Sequence, residues 1–153
     1  MVSDDDWTTP SSAHELEHAF MIERDMRAAP DVVFTAWTQG FDTWFALPGA
    51  IAMNATVGRP YWFDVEHEGT HYSHYGRFLA VETDRLLEFT WVTGRNGTDG
   101  AETVVRVELT PLERGTHVRL RHGGFYDEAA ATRHSGSWPG ILEHLDAMLS
   151  GES

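Results

Sequence analysis

The stretch from Val65 to Gly76, VEHEGTHYSHYG, places His67, His71 and His74 within eight residues of a chain that contains no cysteine. Imidazole clusters serve metal ions, proton transfer, or nothing more than a solvated turn, and spacing separates these uses. A three-residue hairpin loop at Glu68, Gly69 and Thr70 sets His67 opposite His71 on one face of a sheet and turns His74 to the other. Two imidazoles fall short of the three or four ligands a metal site needs, and Asp64 and Glu66 alternate away from His67. The stretch therefore reads as a hairpin tip and not as a metal site.

His74 and His122 fall inside strand-like segments, and His122 is in phase with the apolar Val118 and Leu120. Two readings stay open: a hydrogen-bonded core histidine, or a polar anchor on the wall of an otherwise apolar pocket. A pKa near neutrality suits general-base work, yet no second catalytic partner can be named and no Ser/His/Asp arrangement emerges. GRNGTDG at 94–100 neither follows a parallel strand into a helix nor has phosphate-binding spacing, so it reads as a long hairpin loop. No cofactor is expected.

Composition narrows the partners. The 153 residues carry 24 acidic and 11 basic side chains, a formal charge of −13, which repels nucleic acid and anionic membranes at long range. All the basic residues are arginines, which closes lysine Schiff-base chemistry, and the lack of cysteine closes thiol chemistry and disulfides. No apolar run approaches about 18 residues and the N-terminus lacks a secretory pattern. The expectation is a cytoplasmic protein with one domain over 16–150 behind an acidic, flexible leader at 1–15.

The elements that must position these residues follow from periodicity. HAFMIERDMRA reads as a first strand; Pro30 and Asp31 open a short helix with Val33, Phe34 and Trp37 at helical spacing; FDTWF reads as a second short helix before Pro48 and Gly49. After Gly58 the period becomes two. Tyr61, Phe63 and Val65 share a face, then Leu87, Phe89 and Trp91, then Val105, Val107 and Leu109, then Val118, Leu120 and His122, an antiparallel meander joined by turn-rich connections. Arg106, Arg119 and Arg121 take the opposite phase, as solvated ion-pair partners. The tail is helical, with Asp127 as N-cap and Trp138, Ile141, Leu142, Leu145 and Leu149 in one stripe. Pro139 between Gly136 and Gly140 predicts a kink or restart near Ser137.

This order, a strand, two short helices, a meander and a long C-terminal helix, resembles the helix-grip architecture of the START-like (SRPBCC) superfamily. IERDMRAAPDVVFTAWT, GRPYWF, GRFLAVETDRLLEFTW, GTHVRLRHGGF and SWPGILEHL resemble one branch, the family named for the activator of heat-shock protein 90 ATPase, over about residues 16–150. Ser137 where that family usually has glycine, and Glu82-Thr83-Asp84 in place of a proline-rich turn, are departures that leave the fold intact. The resemblance implies an α+β fold, a curved antiparallel sheet wrapped around the last helix. The co-chaperone activity in the family's name does not transfer with the fold.

A curved sheet gripped by one helix leaves space, and the inward phase names what lines it. Trp44, Phe45, Tyr61, Phe63, His74, Phe89, Trp91, His122, Trp138 and Leu142 are the expected ligand-binding residues, with the mouth beside Trp44, Phe45 and Pro48. The first functional expectation is binding of a small apolar, aromatic or lipid-like molecule by a monomer or homodimer. Two others stand beside it: a co-chaperone-like interaction module, and a polyketide cyclase- or dehydratase-like enzyme needing two titratable groups on one cavity.

Overall fold

The structure, a computed structural model, describes residues 16–94 and 97–151; the expected leader at 1–15 and part of the 94–100 loop lie outside these. Alternation over Phe20–Met26 gives strand β1. Ala29 is extended and Pro30 opens helix α1 (Pro30–Trp37), where a missing N–H costs nothing. Thr38 Oγ1 donates to the Phe34 carbonyl at 2.9 Å and closes that helix. The second expected helix contracts to one 3-10 turn, Phe41–Thr43.

Seven strands form one antiparallel sheet in the order β1-β7-β6-β5-β4-β3-β2. They are β2 (Ile51–Ala52), β3 (Pro60–His67), β4 (Thr70–Glu82), β5 (Leu86–Trp91), β6 (Thr103–Leu112) and β7 (Gly115–Gly123), with β1 closing onto β7. β2 went unanticipated because two residues carry no readable period. Two glycines permit close backbone approaches. A Cβ on Gly76 would stand 2.2 Å from the Thr90 carbonyl oxygen, where β4 crosses close to β5 just before the register shift between Phe78 and Ala80. Gly115 combines φ of 110° with a Met26 carbonyl oxygen 1.9 Å from any added Cβ, so the β6–β7 turn admits no side chain there.

The β3–β4 turn corrects the histidine geometry. It has two residues, Glu68 and Gly69, at φ of 51° and 80°, a left-handed pair that matches the twist of a tight hairpin. Thr70 therefore belongs to β4 and pairs with His67, Glu66 pairs with His71, and Phe63 with His74. One residue of register moves every side chain to the other face. His67 and His74 share the face of Phe63, and His71 lies on the opposite one beside Glu66, 3.3 Å away.

Asp127 Oδ1 accepts the Ala130 N–H at 2.8 Å and starts helix α2 (Glu128–Leu149). Of the expected kink or restart, the restart is absent: α2 is continuous helix through Pro139. Gly136, Pro139 and Gly140 are exposed, so the Ser135 carbonyl that loses its helical donor is on a hydrated side. Buried Trp138, Leu142 and Leu145 hold both halves on the sheet. Near its end, buried Asp146 accepts from Arg24 Nε and from the Arg27 backbone N–H, each at 3.1 Å, which ties the helix to β1. The outward arginines pair as expected, Arg106 with Glu88 at 3.2 Å, Arg119 with Glu23 at 2.9 Å and Arg121 with Glu108 at 3.7 Å. A curved antiparallel sheet around a long C-terminal helix is the helix-grip fold. Among the described residues no helix is long and apolar enough to cross a membrane.

Candidate binding cleft

The inward side of the sheet divides in two. At one end Trp37, Phe41, Tyr61, Phe63, Phe78 and Phe89 interlock and leave no room for a water molecule. Phe41 meets Phe63 edge-on at 4.9 Å, and Tyr61 stacks on Phe63 at 5.9 Å. The Tyr61 hydroxyl is spent inside the sheet, donating to the Thr90 carbonyl at 2.5 Å, and burial raises its pKa. At the other end a cleft of about 590 Å³ opens between the β3–β4 hairpin, the residues after β5, and the first half of α2. That volume suits a drug-sized molecule.

Phe45, Val65, Trp91, Trp138 and Ile141 supply its apolar walls. Phe45 stacks on Trp138 at 6.1 Å and stands edge-on to Trp91 at 5.7 Å, so the three rings form one corner. Thr93, Ser137, His74 and His134 add polar groups, and among the described residues no carboxylate and no arginine lines the cleft.

Of the residues singled out from the sequence, Phe45, His74, Trp91 and Trp138 come together here. Tyr61, Phe63 and Phe89 lie in the filled end, and Leu142 is buried under α2. Trp44 is held in the core by its indole N–H, which donates to the Ala36 carbonyl at 2.7 Å. The opening consequently lies between hairpin and helix and not beside Pro48.

His122 is fully buried and fully used. The Trp138 indole N–H donates to its Nδ1 at 3.0 Å, so the ring proton is on Nε2, which donates to Thr103 Oγ1 at 2.8 Å; that hydroxyl in turn donates to the Trp91 carbonyl at 2.5 Å. Burial, with a contribution from His134, holds the His122 pKa well below its ordinary value. Of the two readings left open for His122, this geometry is that of the hydrogen-bonded core residue: it latches α2 to β6 and β7 in one neutral tautomer.

His74 differs. It stacks on Phe63 at 4.7 Å and meets Trp91 edge-on at 4.9 Å. Its Nδ1 is 3.2 Å from the Tyr72 carbonyl, which can only accept, so the neutral ring carries its proton there and keeps an acceptor lone pair on Nε2. Burial pushes its pKa down to about 4, helped by His134. His134 repeats the pattern from the helix: Nδ1 lies 3.0 Å from the Ala130 carbonyl, and burial lowers its pKa. His134, Val65 and Ile141 were not among the expected site residues. The signal for His134 existed, since 134, 138 and 141 lie on one helical face.

Comparison with known proteins identifies the family and the fold. Residues 27–150 match the family described as Activator of Hsp90 ATPase homolog 1-like protein. No curated protein matches the chain. Among solved structures, a Mesorhizobium loti protein is 24% identical with a TM-score of 0.71, covering 88% of this chain and 98% of its own. The AHSA1 protein of Silicibacter pomeroyi is 23% identical, with a TM-score of 0.72, covering 86% of this chain and 97% of its own. The Aha1 dimer of Colwellia psychrerythraea is 18% identical, with a TM-score of 0.63, covering 86% of this chain and 95% of its own. At these identities the structures share the fold. With most of its length matched by the family pattern, the chain belongs to the activator of Hsp90 ATPase homolog 1-like family, a branch of the START-like superfamily.

Proposed function

We propose that the protein binds a small, uncharged, largely aromatic molecule in the cleft between α2 and the β3–β4 hairpin. The observation that carries this reading is the cleft itself, about 590 Å³ with an apolar corner of Phe45, Trp91 and Trp138 and a few polar groups. Burial of the ligand's apolar surface supplies affinity, at roughly 25 cal/mol per Å² before the costs of association. The absence of carboxylates and arginines among the described lining residues disfavours ionic ligands, and the net charge of −13 disfavours anions further.

Two rival readings each have one supporting feature. An enzyme of the cyclase or dehydratase kind needs two titratable groups on one cavity, and His74 and His134 meet that condition. Their lowered proton affinities make them weak bases. An interaction module, as the family's name suggests, would use the exposed cross-strand pair Trp62 and Tyr75 on the outer face.

A titration of intrinsic tryptophan fluorescence with 2-methylnaphthalene tests the proposal. Saturable quenching that is lost when Ser137, exposed on the cleft wall, is replaced by Phe supports it. Linear, unsaturated quenching in both proteins sinks it.

A further inference from the structure

Hydrogen bonds sort His74, His122 and His134 into different jobs. His122 has both ring nitrogens committed to protein partners. His74 and His134 each commit only Nδ1, and in both cases to a backbone carbonyl, Tyr72 and Ala130. A carbonyl cannot donate, so each ring is fixed in the tautomer whose Nε2 accepts. Among the described residues neither Nε2 has a hydrogen-bond partner, and both histidines line the cleft, one from β4 and one from α2. The walls thus present these two acceptors above an aromatic corner, with no arginine among the described lining residues to pair with a ligand's negative charge.

Resting on the binding function proposed above, we infer that the ligand is a hydroxylated aromatic of the phenol class. One hydroxyl donates to His74 Nε2 while the ring fills the corner of Phe45, Trp91 and Trp138; His134 Nε2, on the helix wall, receives a second hydroxyl. An ether or a hydrocarbon of the same shape fills the corner but leaves the acceptor stripped of water and unpaired, which is the costly half of a lost hydrogen bond. A carboxylate or phenolate brings an acceptor to an acceptor. His74 is well placed to discriminate because it cannot move freely: Phe63 lies against one face and Trp91 against the edge of its ring.

The test compares 2-naphthol, 2-methoxynaphthalene and 2,7-dihydroxynaphthalene by calorimetric titration at pH 7.5, where the naphthols are neutral. The expected order is the diol tightest, then 2-naphthol, then the ether, with about tenfold between naphthol and ether. His74→Phe keeps a ring against Phe63 and should bring the naphthol-to-ether ratio to about one. His134→Phe should remove only the diol's added affinity. A readout that needs no variant is the side-chain 15N resonance of His74 Nε2, which should shift with 2-naphthol and not with 2-methoxynaphthalene. Equal, saturable binding of naphthol and ether overturns this inference and leaves the binding function standing. Persistence of the ratio in His74→Phe, or an unmoved His74 resonance, also overturns it. No saturable binding by any of the three removes the binding function and the inference together.

Discussion

The two ends of the concave face are built from the same kinds of residue and come out differently. Around Phe63 every ring has rings on its sides: Phe41, Phe45, Tyr61, His74 and Trp91 all lie within 6 Å of it. Around Phe45 and Ile141 the helix and the hairpin diverge, and a cleft remains. Trp91 belongs to both linings and marks the boundary. The histidines divide by burial. His122, buried behind Trp91 and Trp138, closes a chain of hydrogen bonds from Trp138 to the Trp91 carbonyl; His74, on the cleft wall, closes one among the described residues. Aromatic content alone does not make a pocket, because what matters is whether the elements carrying the rings converge.

The largest expected effect comes from removing a fully enclosed ring, at the filled end or beneath the cleft. Phe63→Ala or Trp138→Ala should each cost about 3–5 kcal/mol in urea unfolding, since the cavity left behind cannot collapse among so many rings. Trp138→Ala also strips His122 Nδ1 of its donor. Val65→Ala, on the half-buried cleft wall, should cost under about 1.5 kcal/mol. Equal costs for Phe63 and Val65 would erase the distinction between the ends.

Acidification sharpens it next. A histidine whose folded pKa lies below its unfolded one contributes its full stability above the unfolded value, near 6.5, and loses it as pH falls toward the folded value. The His74 pKa is held at about 4 by burial, so at pH 5 this residue alone should remove about 2 kcal/mol. Burial lowers His122 and His134 in the same direction. Half-buried His117 acts in the opposite direction: hydrogen bonds to Asp25 and then Glu23 raise its pKa, a gain present at low pH and lost as pH rises. Stability should therefore fall between pH 7.5 and 5, and His74→Phe should flatten part of that slope. A slope unchanged in the variant would mean His74 titrates normally.

The smallest effect belongs to the hairpin tip. His67 and His71 lie on opposite faces, and among the described residues no group of three or more ligating side chains gathers. Chelator should leave the melting temperature unchanged. A drop of several degrees, restored by zinc, would call for a metal the hairpin geometry does not provide.

Much of the architecture was legible because it rests on local rules. Period-two alternation marked the long strands, Pro30 and Asp127 marked the helix starts, and the Trp138–Leu145 stripe marked the gripping face. What failed depended on single residues or on distance. A two-residue turn in place of three reversed the histidine faces, and proline on the solvent side left α2 intact. The buried Asp146 sits in a stripe read as apolar, and only its approach to Arg24 and Arg27, far away in sequence, explains it. Alternation named inward residues correctly as a set but not which of them would enclose space, because that depends on how hairpin and helix diverge.

The central claim, that one end of the concave face is open to an aromatic guest and the other closed, is tested most directly by the tryptophan indole resonances. The described tryptophans sample every environment: Trp91 and Trp138 on the cleft, Trp37 and Trp44 in the filled core, Trp62 on the outer face. In an NMR titration with 2-naphthol, the account predicts saturable shifts of the Trp91 and Trp138 indole signals while those of Trp37, Trp44 and Trp62 stay in place. Saturable movement of Trp62 with Trp91 and Trp138 unchanged would contradict it and turn attention to the outer face as the binding surface.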